Sequence, residues 1–146
     1  MVRFLEPRDV RSILAIQSAS PEIAQWTLRD YDRVARGEIE MAGWASEEEG
    51  GIRGFLVARH VVGDLEILNF AVSPASRRQG VGAALLAEAL HWSKAFRPGK
   101  AILEVRASNL AALQFYGKHG FKPAGRRSQY YTAPIEDALV LALRLE

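Results

Sequence analysis

Three short segments hold side chains that could do chemistry together. The first is Arg77-Arg78-Gln79-Gly80-Val81-Gly82, between an apolar run, Leu65 to Val72, and a long helical pattern that begins near Gly80. Strand, basic turn and helix start therefore follow one another. Glycine lets the chain bend tightly and lets a ligand approach the backbone. The first amides of a helix have no helical acceptor, and the dipole there favours negative charge. Arg77 and Arg78 beside those amides oppose the dipole unless an anion sits there, so the turn reads as a seat for a phosphate-bearing ligand. The plain alternative, a helix N-terminus with a basic first turn, leaves that opposition unrelieved. The Gly-Lys-Ser/Thr ending of a Walker loop is missing, and so is the third glycine of a dinucleotide fingerprint.

The second segment is Leu103-Glu104-Val105-Arg106-Ala107-Ser108-Asn109, and the third is Phe115-Tyr116-Gly117-Lys118-His119-Gly120-Phe121. Glu104 falls near the end of a buried-type strand, where a carboxylate can take a proton directly or through a water. It can equally be a structural acid paired with Arg106 or another neighbour. Asn109, Ala112 and Tyr116 share a helix face. A tyrosine hydroxyl there can give a proton to a leaving group, or Tyr116 is an ordinary core tyrosine. Phe115 and Phe121 read as core. Tyr130 and Tyr131, preceded by Arg127, read either as recognition aromatics in a polar loop or as one face of a hairpin strand. His60, His91 and His119 lack ligand spacing, so no metal site is expected.

These groups need elements to carry them. Val2 to Leu5 reads as a strand. Pro7 then opens a helix with Val10, Ile13, Leu14 and Gln17 on one face. A second helix is expected from about Ala24 to Arg36, ended by Gly37. Strands follow at Glu38 to Ala45, Ile52 to Val61 and Leu65 to Val72, the first two joined by a turn over Ser46 to Gly51. Gly80 to Phe96 is the clearest helix, with Leu85, Ala89, Trp92 and Phe96 as its buried stripe. Ala101 to Val105 is a strand. Ser108 or Asn109 caps a helix ending near Gly120. Phe121 to Ala124 and Ala138 to Leu143 are the last strands. A strand meander feeding a β-α-β crossover predicts an α/β (α+β) fold, a mixed and mostly antiparallel sheet of about six to seven strands with helices on both faces.

Composition bounds the rest. The 146 residues, 49% apolar and 25% charged, suit one domain over 1–146 that buries a real core. A net charge of +2 is too small to argue for nucleic acid. No cysteine is present, which removes disulfides, thiolate metal sites and a cysteine nucleophile. No stretch approaches the ~20 apolar residues of a membrane span, and the first ten residues lack a signal-peptide core. We expect a soluble, cytoplasmic protein without direct nucleic-acid or membrane contacts, a monomer or weak homodimer.

The three segments, in register, resemble the GCN5-related N-acetyltransferases. The turn is similar to that family's Arg/Gln-x-x-Gly-x-Gly/Ala signature, and Asn109 with Phe115-Tyr116 and Gly120-Phe121 resembles its second signature. Within the family, Leu68 to Pro74, Leu103 to Asn109 and Arg127-x-x-Tyr130-Tyr131 look most like the RimI type, the ribosomal-protein alanine N-acetyltransferases. The resemblance covers essentially the whole chain. It implies acetyl-CoA as cosubstrate and no metal. Amides from about Gln79 to Ala83, through Gly80, Val81 and Gly82 and beside Arg77 and Arg78, would hold the pyrophosphate. Main chain near Phe70, Ala71 and Val72 would receive the pantetheine arm and the acetyl carbonyl. Asn109 and Tyr116 would also contact the cosubstrate. Glu104 falls on the general-base position and Tyr116 on the general-acid position, while Tyr130 and Tyr131 would lie near the acceptor.

The implied reaction is direct attack by a protein N-terminal α-amine, with ribosomal proteins among the acceptors. A small-molecule amine or a lysine side chain is a second acceptor class. A non-catalytic acyl-CoA sensor is a reading of another kind, against which the presence of both Glu104 and Tyr116 counts. The RimI type usually carries a Pro-Trp-Ser-like stretch in its acceptor-side helices, whereas here Pro21 and Trp26 are separated.

Overall fold

A computed structural model describes residues 1–145. The elements, in order, are β1 (Val2–Phe4), α1 (Val10–Ser18), α2 (Leu28–Ala35), β2 (Ala42–Glu48), β3 (Gly51–Val61), β4 (Asp64–Val72), α3 (Val81–Ser93), β5 (Lys100–Arg106), α4 (Leu110–Lys118), β6 (Lys122–Thr132) and β7 (Ile135–Arg144). One seven-stranded sheet runs β1-β2-β3-β4-β5-β7-β6. Only β4 and β5 pair in parallel; every other pair is antiparallel. The mixed, mostly antiparallel sheet expected from the strand order is present.

Each face of the sheet buries its own core. Leu56, Ala58, Leu65 and Ile67 meet Leu85, Leu86 and Ala89 of α3 on one face, with Tyr116 and Phe121 closing that layer. Phe55, Val57 and Ala71 meet Ile13, Ile16, Tyr31 and Val34 of α1 and α2 on the other. Alternate residues of β3 thus feed opposite layers, as the period of a strand requires.

Several boundaries differ from the sequence expectation, each for a local reason. The second helix starts at Leu28 rather than Ala24, because Thr27 and Asp30 form a reciprocal capping box. That leaves 19–27 as a loop. β2 runs through Ser46 to Glu48, since a bulge at Ser46/Glu47 lets pairing with β3 continue to the turn. Phe96 is not on the buried stripe of α3. It sits on a short 3-10 extension, 55% exposed, against His60. The final hairpin is much longer than Phe121 to Ala124 and Ala138 to Leu143, so Tyr130 and Tyr131 belong to strand β6 and not to a loop. β6 is an edge strand, exposed along nearly its whole length, so it shows no apolar alternation to read.

Among the described residues no helix is long and apolar enough to cross a membrane. Nor does any group of three His, Cys, Asp or Glu gather as metal ligands would.

The first turn of the chain is fixed by charge. Arg3 grips buried Asp9 with two nitrogens, at 2.8 and 2.9 Å, and reaches Glu47 at 2.9 Å. Asp9 also accepts from the Glu6 N–H at 2.8 Å. Burial works against the Asp9 charge, but Arg3 and the Glu6 amide outweigh it and hold the carboxyl below its ordinary range. Arg3→Ala strands that carboxylate and should cost about 3 kcal/mol in urea unfolding at pH 7. Because the Asp9 value is depressed, this contribution is complete above the unfolded carboxyl value of ~3.9 and fades as pH falls through the lower folded value. The gap between wild type and Arg3→Ala should therefore close in acid.

Candidate active site

The site begins where the sheet divides. β4 and β5 pair only through Asp64↔Lys100, Leu65↔Ala101 and Glu66↔Ile102. Beyond that point β4 follows β3 as far as Gly54↔Val72, and β5 follows β7 as far as Arg106↔Ala138. A register shift between Val57 and Ala58, which skips Leu68 on β4, marks where β4 bends. A cleft of about 540 Å³ opens between the parted strands. The β4 edge from Ile67 to Val72 that faces it has no ladder partner.

The basic turn closes one end. Arg78 (φ 65°) and Gly80 (φ 81°) both take the left-handed conformation. Glycine does so freely, and an arginine does so at a cost. The first bond of α3 runs from the Ala84 N–H to the Gly80 carbonyl at 3.0 Å, so the amides of Val81, Gly82 and Ala83 have no helical acceptor. Arg77, Arg78 and Gln79 are exposed beside them, and neither arginine has an ion-pair partner among the described residues. At Gly82 a Cβ would stand 3.2 Å from Phe115 Cε1, so a larger residue there would have to push the Phe115 ring back by a few tenths of an ångström.

Of the residues singled out from the sequence, Phe70, Ala71, Val72, Arg77, Gly82, Glu104, Asn109, Tyr116, Tyr130 and Tyr131 line the cleft. Arg78, Gln79, Gly80 and Ala83 are not in its lining but adjoin it through Arg77 and Gly82, and the Val81 side chain turns into the core. Asn109 is the cap of α4, its side-chain oxygen accepting from the Ala112 N–H at 3.2 Å. Phe115 is not purely core: it lines the cleft and meets Phe70 edge-on at 5.7 Å.

Tyr116 is 8% exposed, and its hydroxyl has no hydrogen-bond partner among the described residues. Burial pushes its ionisation far above that of a free phenol, so the group keeps its proton. Glu104 approaches from β5. Its partner is Arg127 of β6, through Nε and Oε2, and not Arg106. Oε2 is shielded from solvent and accepts no well-formed hydrogen bond. Arg106 instead pairs with Glu136 at 3.2 Å and covers the Tyr131 ring at 4.2 Å. Burial first, and the Glu104 charge second, push the Tyr131 phenol upward.

One set of residues escaped sequence reasoning. Gln17 Oε1 accepts from the Tyr31 hydroxyl at 2.5 Å and from the Trp26 N–H at 3.0 Å, while Gln17 Nε2 donates to the Trp26 carbonyl at 2.9 Å. Asn69 Nδ2 donates to the Tyr31 hydroxyl at 2.8 Å and to the Ala24 carbonyl at 3.0 Å. This buried network ties the 19–27 loop, with Ile23 and Trp26, to β4 as one wall of the cleft. The available signal was a polar residue inside an apolar stretch: Asn69 within Leu65 to Val72, and Gln17 on the apolar face of α1.

The family's sequence profile, described as the acetyltransferase (GNAT) family, matches residues 10–121, and the chain belongs to that family. It is an acetyl-CoA-dependent N-acetyltransferase. A Bacillus subtilis (strain 168) protein, provisionally named a ribosomal protein bS18-alanine N-acetyltransferase, is 37% identical over 140 residues, 96% of this chain and 92% of the relative. The crystal structure of the ribosomal-protein-S18-alanine N-acetyltransferase from Escherichia coli superposes with a TM-score of 0.83 at 27% identity, covering 100% of this chain and 94% of that one. Arabidopsis thaliana NAA60, solved in complex with acetyl-CoA, shares the fold at 19% identity, with a TM-score of 0.85 and coverage of 99% and 98%.

Tyr31→Phe deletes the hydroxyl that joins Gln17 to Asn69. It leaves one buried N–H of the Asn69 amide without an acceptor, and should lower unfolding free energy by about 1–3 kcal/mol in chemical denaturation. The same variant should make the 19–27 backbone amides exchange faster with solvent than those of α3.

Proposed function

We propose that this N-acetyltransferase acts on the α-amine of a protein N-terminus, with a ribosomal protein beginning in alanine as its acceptor. The observation that carries the proposal is the pairing in the cleft. Glu104 and Tyr116 reach one space from opposite sides of the parted strands, with Tyr130 and Tyr131 at its rim. The names of the Bacillus and Escherichia relatives support the acceptor class.

The residues present suit acetyl-CoA. A pyrophosphate needs donors, positive charge and no side chain in the way. The amides of Val81, Gly82 and Ala83, with Arg77 and Arg78 beside them and glycine at position 82, offer all three. The unpaired edge of β4 through Phe70, Ala71 and Val72 suits an extended amide-bearing arm, which can bond to it as an added strand would. Asn109 keeps its side-chain nitrogen free to donate there. Bound in this way, acetyl-CoA supplies a thioester carbonyl open to an amine.

The chain's own groups handle the protons. Glu104 takes a proton from the acceptor ammonium, directly or through a water. An amide of β4 near Val72 donates to the carbonyl oxygen as charge develops on it. Tyr116, held protonated by burial, gives its proton to the departing sulfur. An α-amine loses its proton near pH 7.7–8.0 and a lysine near 10.4, so the lysine costs about 3–4 kcal/mol more to deprotonate. A carboxylate base suits the first far better.

Glu104→Gln and Tyr116→Phe should each lower kcat by about 10²–10⁴-fold, with KM for acetyl-CoA close to wild type. Turnover of both variants at the wild-type rate would overturn the assignment. Labelled acetyl-CoA offered to peptides differing only in their first residue should transfer best to those starting with alanine. Transfer to polyamines or free amino acids alone would replace the acceptor proposal.

A further inference from the structure

Arg127 stands on the oxygen that the proposed base would use. Its Nε pairs with Glu104 Oε2, which is otherwise shielded. Arg127 itself is 60% exposed at the side chain, on an edge strand whose pairing with β7 shifts register between Arg127 and Tyr131. Its guanidinium already lies over the Tyr130 ring, 5.6 Å from the centroid, so it meets the carboxylate and the ring at once.

Arg77 of the basic turn lines the same cleft but forms no ion pair with Glu104, and the other arginines near it are occupied. Arg106 on the same strand is bound to Glu136 of β7 and stacked on Tyr131 of β6. Across the cleft, Arg59 of β3 pairs with Glu66 of β4 at 2.8 Å. Glu22 of the 19–27 loop and Tyr116 of α4 bring no positive charge. Arg127 is therefore the cation that neutralises Glu104 among the described residues.

We infer that Arg127 is a resident counter-ion that the acceptor's ammonium displaces. This rests on Glu104 being the base. In the free enzyme Arg127 occupies Glu104 Oε2 and blocks it. An arriving N-terminal ammonium is a cation that can replace it, and Arg127 is then held by the Tyr130 ring alone. The ammonium then gives its proton to Glu104, and the freed amine attacks. A neutral group entering the cleft has no means of evicting Arg127, so the exchange admits charged amines selectively. Arg127 is a positioning residue in this scheme, acting through Glu104.

The test is the acceptor kinetics of Arg127→Gln with an alanine-first peptide and saturating acetyl-CoA. The acceptor KM should fall about two- to five-fold, since no ion pair must be broken. The value of kcat should stay close to wild type, because Arg127 has already left in the acceptor complex. Arg127→Lys, which keeps a cation on the carboxylate, should keep the wild-type KM. An unchanged or raised acceptor KM in Arg127→Gln would overturn the inference while Glu104→Gln remains crippled. A fully active Glu104→Gln would instead remove the base assignment on which it rests.

Discussion

The site depends on the failure of two strands to stay paired. β4 and β5 share only three residue pairs before they part. In most sheets an unpaired buried strand edge is a liability, because its amides and carbonyls lose their partners. Here the edge faces a cleft, where a ligand with amides of its own can complete it. The same parting lets β5 carry Glu104 to one side of the gap and lets α4 place Tyr116 on the other. The bulge at Leu68 and the capping of α4 by Asn109 both serve that geometry.

Two kinds of buried polarity hold the walls. In one wall, Gln17, Tyr31 and Asn69 satisfy one another and the loop backbone, which ties a stretch without regular structure to the sheet. Elsewhere in the cleft, Tyr116 is buried with no hydrogen bond to its hydroxyl among the described residues, and the first amides of α3 have no helical acceptor, as at any helix start.

Much of this was legible in the sequence where local physics decides. The order of strand, basic turn and helix before α3 could be read because glycine and the change of apolar period mark the boundary. Asn109 and Tyr116 could be placed on one face from helical spacing alone. Glu104 was left open between base and structural acid, and the structure gives it a partner, Arg127, that spacing did not suggest. The illegible parts are those set by tertiary pairing. β6 has no periodicity because both its faces meet solvent, so Tyr130 and Tyr131 read as loop residues. α2 starts four residues after the expected Ala24, because the Thr27–Asp30 box sets its first turn. The network through Asn69 joins residues up to 45 positions apart, which no local pattern reports.

In the proposed reaction Glu104 and Tyr116 serve an α-amine at a peptide's N-terminus. The most direct test is to locate the acetylated nitrogen by tandem mass spectrometry, using a peptide that begins with alanine and carries an internal lysine. The expected product carries acetyl on the terminal nitrogen and an unmodified lysine. Acetyl on the lysine, with the terminus left free, would contradict that assignment.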